Sequence, residues 1–386
     1  MMKQRIYLDN SATTQVDERV VQAMLPCFRE TFGNASSVHI FGQEARAKVE
    51  EARRSVAELL GADTREIVFT SGGTESDNSA LWGVFRGSGK GNHIITTKIE
   101  HPAVLATCKA LESSGAEVTY VPVDASGCVD PAAVERAVRE NTILISVMHA
   151  NNETGVIQPV EEISRIAASR GIIMHTDAVQ SVGKIPVNVR ELGVNLLSMS
   201  GHKIHGPKGI GVLYIRKGTR IAPFMTGGSH ERKRRAGTEN VPAIAGLGVA
   251  ASLAKQRLPE MQERVAALRD RIESEIKSRI TGMKVNGQAP RLPNITNLSF
   301  DGLEGEAAVI ALDLEGLAVS TGSACSSGSL EPSHVLMAMG FRPEIVQSSL
   351  RFSLCYHNTE EEIGQSIKIL ESVIQRLRKL SKRVVA

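Results

Sequence analysis

Residues 198–214, SMSGHKIHGPKGIGVLY, are the stretch around which the fold of this chain is organised. Apolar residues 194–197 lead into it and residues 210–215 leave it as a second apolar run, which predicts two buried strands joined by a glycine-rich segment. Lys203 lies in that segment. Most lysines are solvated surface charges, but an amine buried between two strands gives up its proton more readily and becomes a nucleophile. Lys203 is therefore a candidate for condensation with an aldehyde.

The composition is that of an ordinary globular protein. The chain has 386 residues, 42% hydrophobic and 23% charged, and its net charge of +3 is too small to imply a nucleic acid or a membrane as partner. Five cysteines without close spacing argue against a disulfide framework or a structural zinc site. The first residues contain no apolar leader, and no apolar run is long enough to span a bilayer. These features predict a cytoplasmic location without membrane attachment.

Strands and helices alternate along residues 66–215, which predicts an α/β fold with a mostly parallel sheet covered by helices on both faces. The length exceeds one comfortable core, so we expect more than one domain. Residues 1–14 are predicted to form an N-terminal arm that joins the small domain. Residues 15–257 are predicted to form a large domain that holds the site, and residues 258–386 a smaller α+β domain.

A polar cluster follows each predicted strand, and in an open α/β sheet these strand ends meet at one edge. The clusters contain Gly73 and Thr74, His101, Asn152, Asp177 and Gln180, and finally Ser200, His202 and Lys203. One concave site is the economical interpretation.

Each cluster has a structural alternative. The glycine turn at Gly73 can point backbone N–H groups at a phosphate, or it can simply begin a helix. His101 can face a ligand or fill a structural position. Asp177 can pair with the nitrogen of a pyridine ring, which keeps that nitrogen protonated, or it can cap a helix. The agreement among the clusters favours the functional interpretation.

Three motifs carry a resemblance to a known family. The segments DAVQ, SGHK and GPKG resemble those of the class V aminotransferase group, which has fold type I of the pyridoxal phosphate enzymes, and stand at residues 177–180, 200–203 and 206–209. Within that group the chain is similar to the cysteine desulfurases of the NifS/IscS type. The match covers nearly the whole chain and includes TSGGTES, EHP, NNETG and RAGT at residues 70–76, 100–102, 151–155 and 235–238.

The resemblance implies a large domain with a seven-stranded type of sheet, a smaller domain, and pyridoxal phosphate as cofactor. It assigns a residue to each part of that cofactor: Lys203 to the aldehyde carbon, Gly73, Thr74, Ser200 and His202 to the phosphate, His101 to the ring face and to proton transfer, Asp177 to the ring nitrogen, Gln180 to the ring hydroxyl, and Asn152 to cofactor and substrate. It also places Thr238 at the phosphate of the other subunit of a homodimer.

One cysteine stands apart from the others. Residues 320–331, STGSACSSGSLE, are rich in serine and glycine, which predicts a flexible, solvated loop with nothing to bury Cys325. An accessible thiol on such a tether suits a nucleophile that visits two places. A buried, unreactive role suits the remaining cysteines, Cys27, Cys108, Cys128 and Cys355. The resemblance further implies that Arg351 clamps the substrate carboxylate.

The implied activity is conversion of L-cysteine to L-alanine, with the sulfur carried on Cys325 as a persulfide. The acceptor would be an iron–sulfur scaffold or another sulfur-acceptor protein, in the synthesis of clusters, other sulfur-containing cofactors or tRNA. No resident metal is expected, apart from Cys325 as a possible transient cluster ligand. The alternatives are a selenocysteine lyase, another class V aminotransferase, and an inactive sulfur-transfer scaffold. The basic run at residues 232–235 is either a solvated loop or a feature of the site mouth or of an RNA or protein contact.

Overall fold

The computed structural model describes residues 5–89, 91–288, 290–321 and 332–384. The strands within these residues are β1 (Ile6–Tyr7), β2 (Ile67–Thr70), β3 (His93–Thr97), β4 (Glu117–Val121), β5 (Thr142–Ser146), β6 (Ile173–Asp177), β7 (Leu196–Ser200), β8 (Gly211–Ile215), β9 (Met283–Asn286), β10 (Ile295–Phe300), β11 (Leu317–Ala318), β12 (Ser320–Thr321) and β13 (Ser349–Ser353). The α-helices are α1 (Glu18–Met24), α2 (Ile40–Leu60), α3 (Gly73–Gly87), α4 (Pro102–Glu112), α5 (Pro131–Ala137), α6 (Val160–Ser169), α7 (Val189–Leu192), α8 (Val241–Gln256), α9 (Leu258–Glu260), α10 (Ala266–Arg279), α11 (Gly305–Leu314), α12 (His334–Ala338), α13 (Pro343–Gln347) and α14 (Glu360–Val384).

The central sheet has seven strands in the order β2-β8-β7-β6-β5-β3-β4. Strand β8 runs antiparallel to both of its neighbours, and the other pairings are parallel. Every residue of β7 and β8 is buried, as expected for strands covered on both faces. The predicted α/β fold with a mostly parallel sheet is confirmed.

A second core lies around the antiparallel sheet β12-β13-β10-β9. Helices α10, α11 and α14 bury their apolar faces there, and Ile6 and Leu8 of the N-terminal segment join the same cluster. Ala254 still belongs to the core of the central sheet, whereas Met261 belongs to this second core. This change of core between the two residues supports the division at 257/258, which we retain as a proposal together with the N-terminal arm.

Among the described residues, no helix combines the length and the apolar character needed to cross a bilayer.

Candidate active site

Nine of the residues singled out in the sequence line one cavity of about 310 Å³ at the carboxyl ends of the parallel strands: Gly73, Thr74, His101, Asn152, Asp177, Gln180, Ser200, His202 and Lys203. Asp177 is the last residue of β6 and Ser200 is the last residue of β7, so the sheet itself brings their side chains to this edge. Ala12, from the N-terminal segment, also lines the cavity.

The glycine turn between β2 and α3 forms one wall. Gly72 has φ 156° and lies directly against Gly211 of β8, where an added Cβ would come within 2.6 Å of the Gly72 backbone. No side chain caps the start of α3. The N–H groups of its first turn, with the positive end of the helix dipole, are therefore suited to an anion such as a phosphate.

Lys203 lies in a single 3-10 turn between β7 and β8 and is 9% exposed. Its Nζ donates to the backbone carbonyls of Ser11 at 2.5 Å and Ala12 at 2.8 Å. A second buried lysine, Lys184, donates from Nζ to the Lys203 carbonyl at 2.5 Å. Burial lowers the pKa of Lys184 to about 8, and the charge of Lys203 acts in the same direction. Lys184 thus binds the backbone of Lys203, the N-terminal segment binds its amine, and Lys203 lines the cavity.

Asp177 is a buried acidic residue of the cavity, with 5% exposure. Burial raises its pKa to about 6, while the N–H of Val179, donated to Oδ1 at 2.9 Å, and the charge of Lys203 oppose that rise. Gln180, one turn further on, donates from Nε2 to the carbonyl of Ser11 at 3.0 Å. A positively charged ring nitrogen placed in the cavity would favour the ionised form of Asp177.

The two histidines of the cavity are neutral near pH 7. His101 caps α4, and its Nδ1 accepts the N–H of Ala103 at 3.1 Å, which leaves the ring proton on Nε2. Burial lowers the pKa of His101 to about 4, and the charge of Lys203 adds to this effect. Burial likewise lowers the pKa of His202 to about 4, and its Nδ1 lies 3.1 Å from Oγ1 of Thr13.

Two buried carboxyl groups near the site were not singled out in the sequence. Asp77, on α3, lines the cavity with 1% exposure, and its Oδ1 lies 3.6 Å from Nε2 of His175. Burial, and then the charge of Asp177, raise the pKa of Asp77 well above its usual value. Burial raises the pKa of Glu100 to about 8, although this residue accepts hydrogen bonds from Thr97 and Met148. An acidic residue within the apolar stretch after the glycine turn was the available signal for Asp77.

Two predicted residues, Arg351 and Thr238, are not among the residues that line the cavity. Arg351, on β13, is 1% exposed, and its Nη1 donates to the carbonyl of Asn152, a lining residue, at 3.0 Å. Thr238 is exposed and does not line this cavity. Cys325 lies outside the described residues. The first two residues of the predicted loop at 320–331, Ser320–Thr321, instead form β12 and pair with β13. The other residues of that prediction lie outside the described residues.

The arrangement fits pyridoxal phosphate. The cavity offers a buried amine for an aldehyde, a buried carboxylate for a ring nitrogen, and the uncapped start of a 15-residue helix for a phosphate. His101, Gln180, Ser200 and His202 add hydrogen-bonding groups around these three.

The mostly parallel sheet, with a lysine after one strand and an aspartate after its neighbour, defines a fold type I enzyme of the pyridoxal phosphate-dependent class. The chain belongs to the aminotransferase class-V family, whose profile matches residues 6–365. The predicted resemblance to this family is confirmed.

Relatives and solved structures agree over nearly the full length. The protein named cysteine desulfurase IscS from Dictyoglomus turgidum (strain DSM 6724 / Z-1310) is 53% identical over 382 residues, which cover 98% of this chain and 97% of that protein. A solved NifS-like protein superposes with a TM-score of 0.90 at 42% identity and covers 96% of this chain and 100% of its own. The solved structure of SspA in complex with cysteine superposes with a TM-score of 0.81 at 38% identity, and the match covers 90% of this chain and 98% of that one.

Proposed function

We propose that the protein is a pyridoxal phosphate-dependent cysteine desulfurase, which converts L-cysteine to L-alanine and passes the sulfur on. The observation that carries this proposal is the buried Lys203 amine in a cavity shared with Asp177 and the glycine turn. The desulfurase and NifS-like names of the relatives favour this activity over a selenocysteine lyase, another aminotransferase or an inactive scaffold.

Lys203, Asp177 and His101 are proposed to have different roles in the reaction. When bound, pyridoxal phosphate supplies an electron sink for the α-carbon of the amino acid. Lys203 would hold the aldehyde carbon of the cofactor, and its Nζ would remove the α-proton of the substrate. Asp177 would pair with the ring nitrogen, and neutral His101 would transfer a proton at the substrate sulfur through Nε2.

The sulfur is transferred to Cys325. Its thiolate attacks the substrate sulfur, so that an S–S bond forms and the C–S bond breaks. The electron pair of the broken bond goes to the carbon that becomes the methyl group of L-alanine. The outer sulfur of the Cys325 persulfide then passes to an acceptor, for which we propose an iron–sulfur scaffold or another sulfur-acceptor protein. We also propose that Cys325 can be a transient ligand of a cluster.

A homodimer in the cytoplasm is part of the proposal. Exposed apolar side chains cluster around the start of α2: Phe28 at 61%, Phe32 at 63%, Ile40 at 60% and Phe41 at 47% exposure. The rings of Phe32 and Phe41 lie 5.5 Å apart. Such a patch is typical of a surface that a protein partner covers. Thr238, exposed in this chain, would reach the phosphate bound to the neighbouring subunit.

The test is an assay of L-alanine and sulfane sulfur from L-cysteine, with the parent protein and with Cys325→Ser. A serine hydroxyl is too weakly acidic to replace the thiolate. The variant should therefore bind cofactor and change its spectrum with L-cysteine, but form neither persulfide nor alanine at useful rates. Cys128→Ser is the matched control, because Cys128 is half-buried, and it should behave as the parent. Alanine formed by Cys325→Ser at the parent rate, or a persulfide on another cysteine, would contradict the proposal.

A further inference from the structure

The buried guanidinium of Arg351 already holds a carboxylate of its own chain. Its Nη2 lies 2.8 Å from Oδ1 of Asp9, and its Nη1 donates to the carbonyl of Asn152 at 3.0 Å. Its Nε has no hydrogen-bond partner among the described residues. Asn152 lines the active-site cavity, so Arg351 directly contacts one residue of the cavity wall.

The backbone fixes Asp9 beside Arg351. Asp9 forms a β-bridge with Ser353, two residues after Arg351 on β13, and the next residue, Asn10, donates its N–H to the Ser353 carbonyl at 3.1 Å. The carboxylate is differently placed: the Asp9 side chain is 19% exposed, whereas the Arg351 side chain is 1% exposed. Asp9 is therefore the member of the pair that solvent reaches.

The same N-terminal segment also contacts the basic residue Lys203. The carbonyls of Ser11 and Ala12 accept from Nζ of Lys203, and Ala12 lines the cavity. The segment from Asp9 to Ala12 thus supplies oxygen acceptors to both Lys203 and Arg351. A buried, unpaired guanidinium is costly, so a carboxylate next to Arg351 stabilises the protein whenever no other anion is there.

We propose that Asp9 is a competing carboxylate, which holds Arg351 until the α-carboxylate of the amino-acid substrate takes its place, and which thereby weakens substrate binding. The inference rests on the proposed function and on the role that the family resemblance implies for Arg351, which is to clamp the substrate carboxylate. A second carboxylate that approaches a guanidinium already paired with one meets like-charge repulsion and must displace an existing ion pair. A ligand without a carboxylate makes no such exchange.

The experiment measures equilibrium binding in the cofactor-loaded Cys325→Ser background, in which turnover is stopped. L-cysteine is titrated into this protein and into the same protein with Asp9→Asn, and binding is followed by the change in cofactor absorption. Asparagine keeps the shape of the side chain and removes its charge. The dissociation constant for L-cysteine should fall roughly five- to tenfold. Cysteamine, which has the amine and thiol but no carboxylate, should bind both proteins equally within about twofold.

Three further variants distinguish the ways in which the proposal could fail. Arg351→Gln should weaken the binding of L-cysteine and leave the binding of cysteamine unchanged. If this variant binds L-cysteine as tightly as the parent does, the proposed role of Arg351 is wrong. If Arg351→Gln weakens L-cysteine binding but Asp9→Asn does not strengthen it, Asp9 is only a structural partner and the inference is overturned. Equal strengthening for both ligands overturns it as well. Asp9→Ser serves as a second neutral variant if Asp9→Asn fails to fold, and Asp9→Glu should retain the affinity of the parent.

Discussion

Arg235 holds the Glu75 carboxylate through two hydrogen bonds, 2.8 Å from Nε to Oε1 and 3.1 Å from Nη2 to Oε2. Glu75 lies in the first turn of α3 and also accepts the N–H of Ser71 at 2.8 Å. Although burial opposes it, these contacts hold the pKa of Glu75 below its usual value. The last residue of the basic run at 232–235 is therefore attached to the glycine turn of the site, whereas Arg232 and Lys233 are exposed.

Arg235→Gln should weaken cofactor binding, because the glycine turn loses the bidentate contact that holds Glu75 in place. The dissociation constant for pyridoxal phosphate, measured by spectral titration of the cofactor-free protein, should rise roughly three- to tenfold. Lys233→Gln removes the same charge from an exposed position of the same run and is the matched control. Equal affinities for the two variants would show that the contact does not stabilise the turn.

Lys203 should be the residue that holds the cofactor. The purified protein should be yellow, and treatment with borohydride should bleach it by fixing the cofactor to one lysine. Peptide mapping then identifies that lysine. Lys184 is the informative competitor, since it is also buried and lies next to the Lys203 backbone. An adduct on Lys184, or on no lysine, would contradict the assignment.

Mixed dimers test the proposed composite site. Lys203→Ala and Thr238→Ala chains are co-expressed and the heterodimers are separated. If each site combines Lys203 of one subunit with Thr238 of the other, every heterodimer contains one intact site and one doubly altered site. Half of the sites should then bind pyridoxal phosphate with the parent affinity, compared with none in either homodimeric variant. Heterodimers without such sites would exclude this arrangement.

Glu100→Gln should change how stability depends on pH. The raised pKa of about 8 means that the folded protein keeps the Glu100 proton at pH values at which the unfolded chain, with a pKa near 4.5, has lost it. The stability contributed by this proton is complete below pH 4.5 and is lost as the pH rises towards 8. Glutamine does not titrate, so the variant should gain stability relative to the parent across that window.

Unfolding of both proteins by denaturant at pH 5, 6.5 and 8 measures this difference, with the cofactor removed so that its loss does not contribute. Gln is a suitable replacement because its carbonyl can still accept from Thr97 and Met148. A difference in stability that is constant with pH would mean that Glu100 is ionised in the folded protein.

Much of the fold was predictable because its signals are local. Strand β8 is a continuous apolar run, and the polar clusters stand at the ends of β6 and β7 or directly after them. The rule that parallel strands present their carboxyl ends at one edge then predicts a common site, and nine predicted residues do line one cavity.

Asp77 and Glu100 are buried acidic residues near the site that the sequence did not predict. An acidic residue in a helix is normally solvated, and the sequence does not say which face of α3 meets the sheet. Only the packing of α3 buries Asp77 next to His175 and gives it a raised pKa. The contact between Arg351 and Asp9 was equally invisible, because the two residues are 342 positions apart.

The sequence by itself determined the order of strands and helices, the glycine turn and the position of Lys203 between two buried strands. These features depend on residue type and spacing over a few residues, where backbone geometry and hydrophobic periodicity decide the outcome. The tertiary structure alone decided that the N-terminal segment reaches both Lys203 and Arg351, and that Arg235 braces the glycine turn. Those contacts join distant parts of the chain, and they arise only when burial of the two cores brings the parts together.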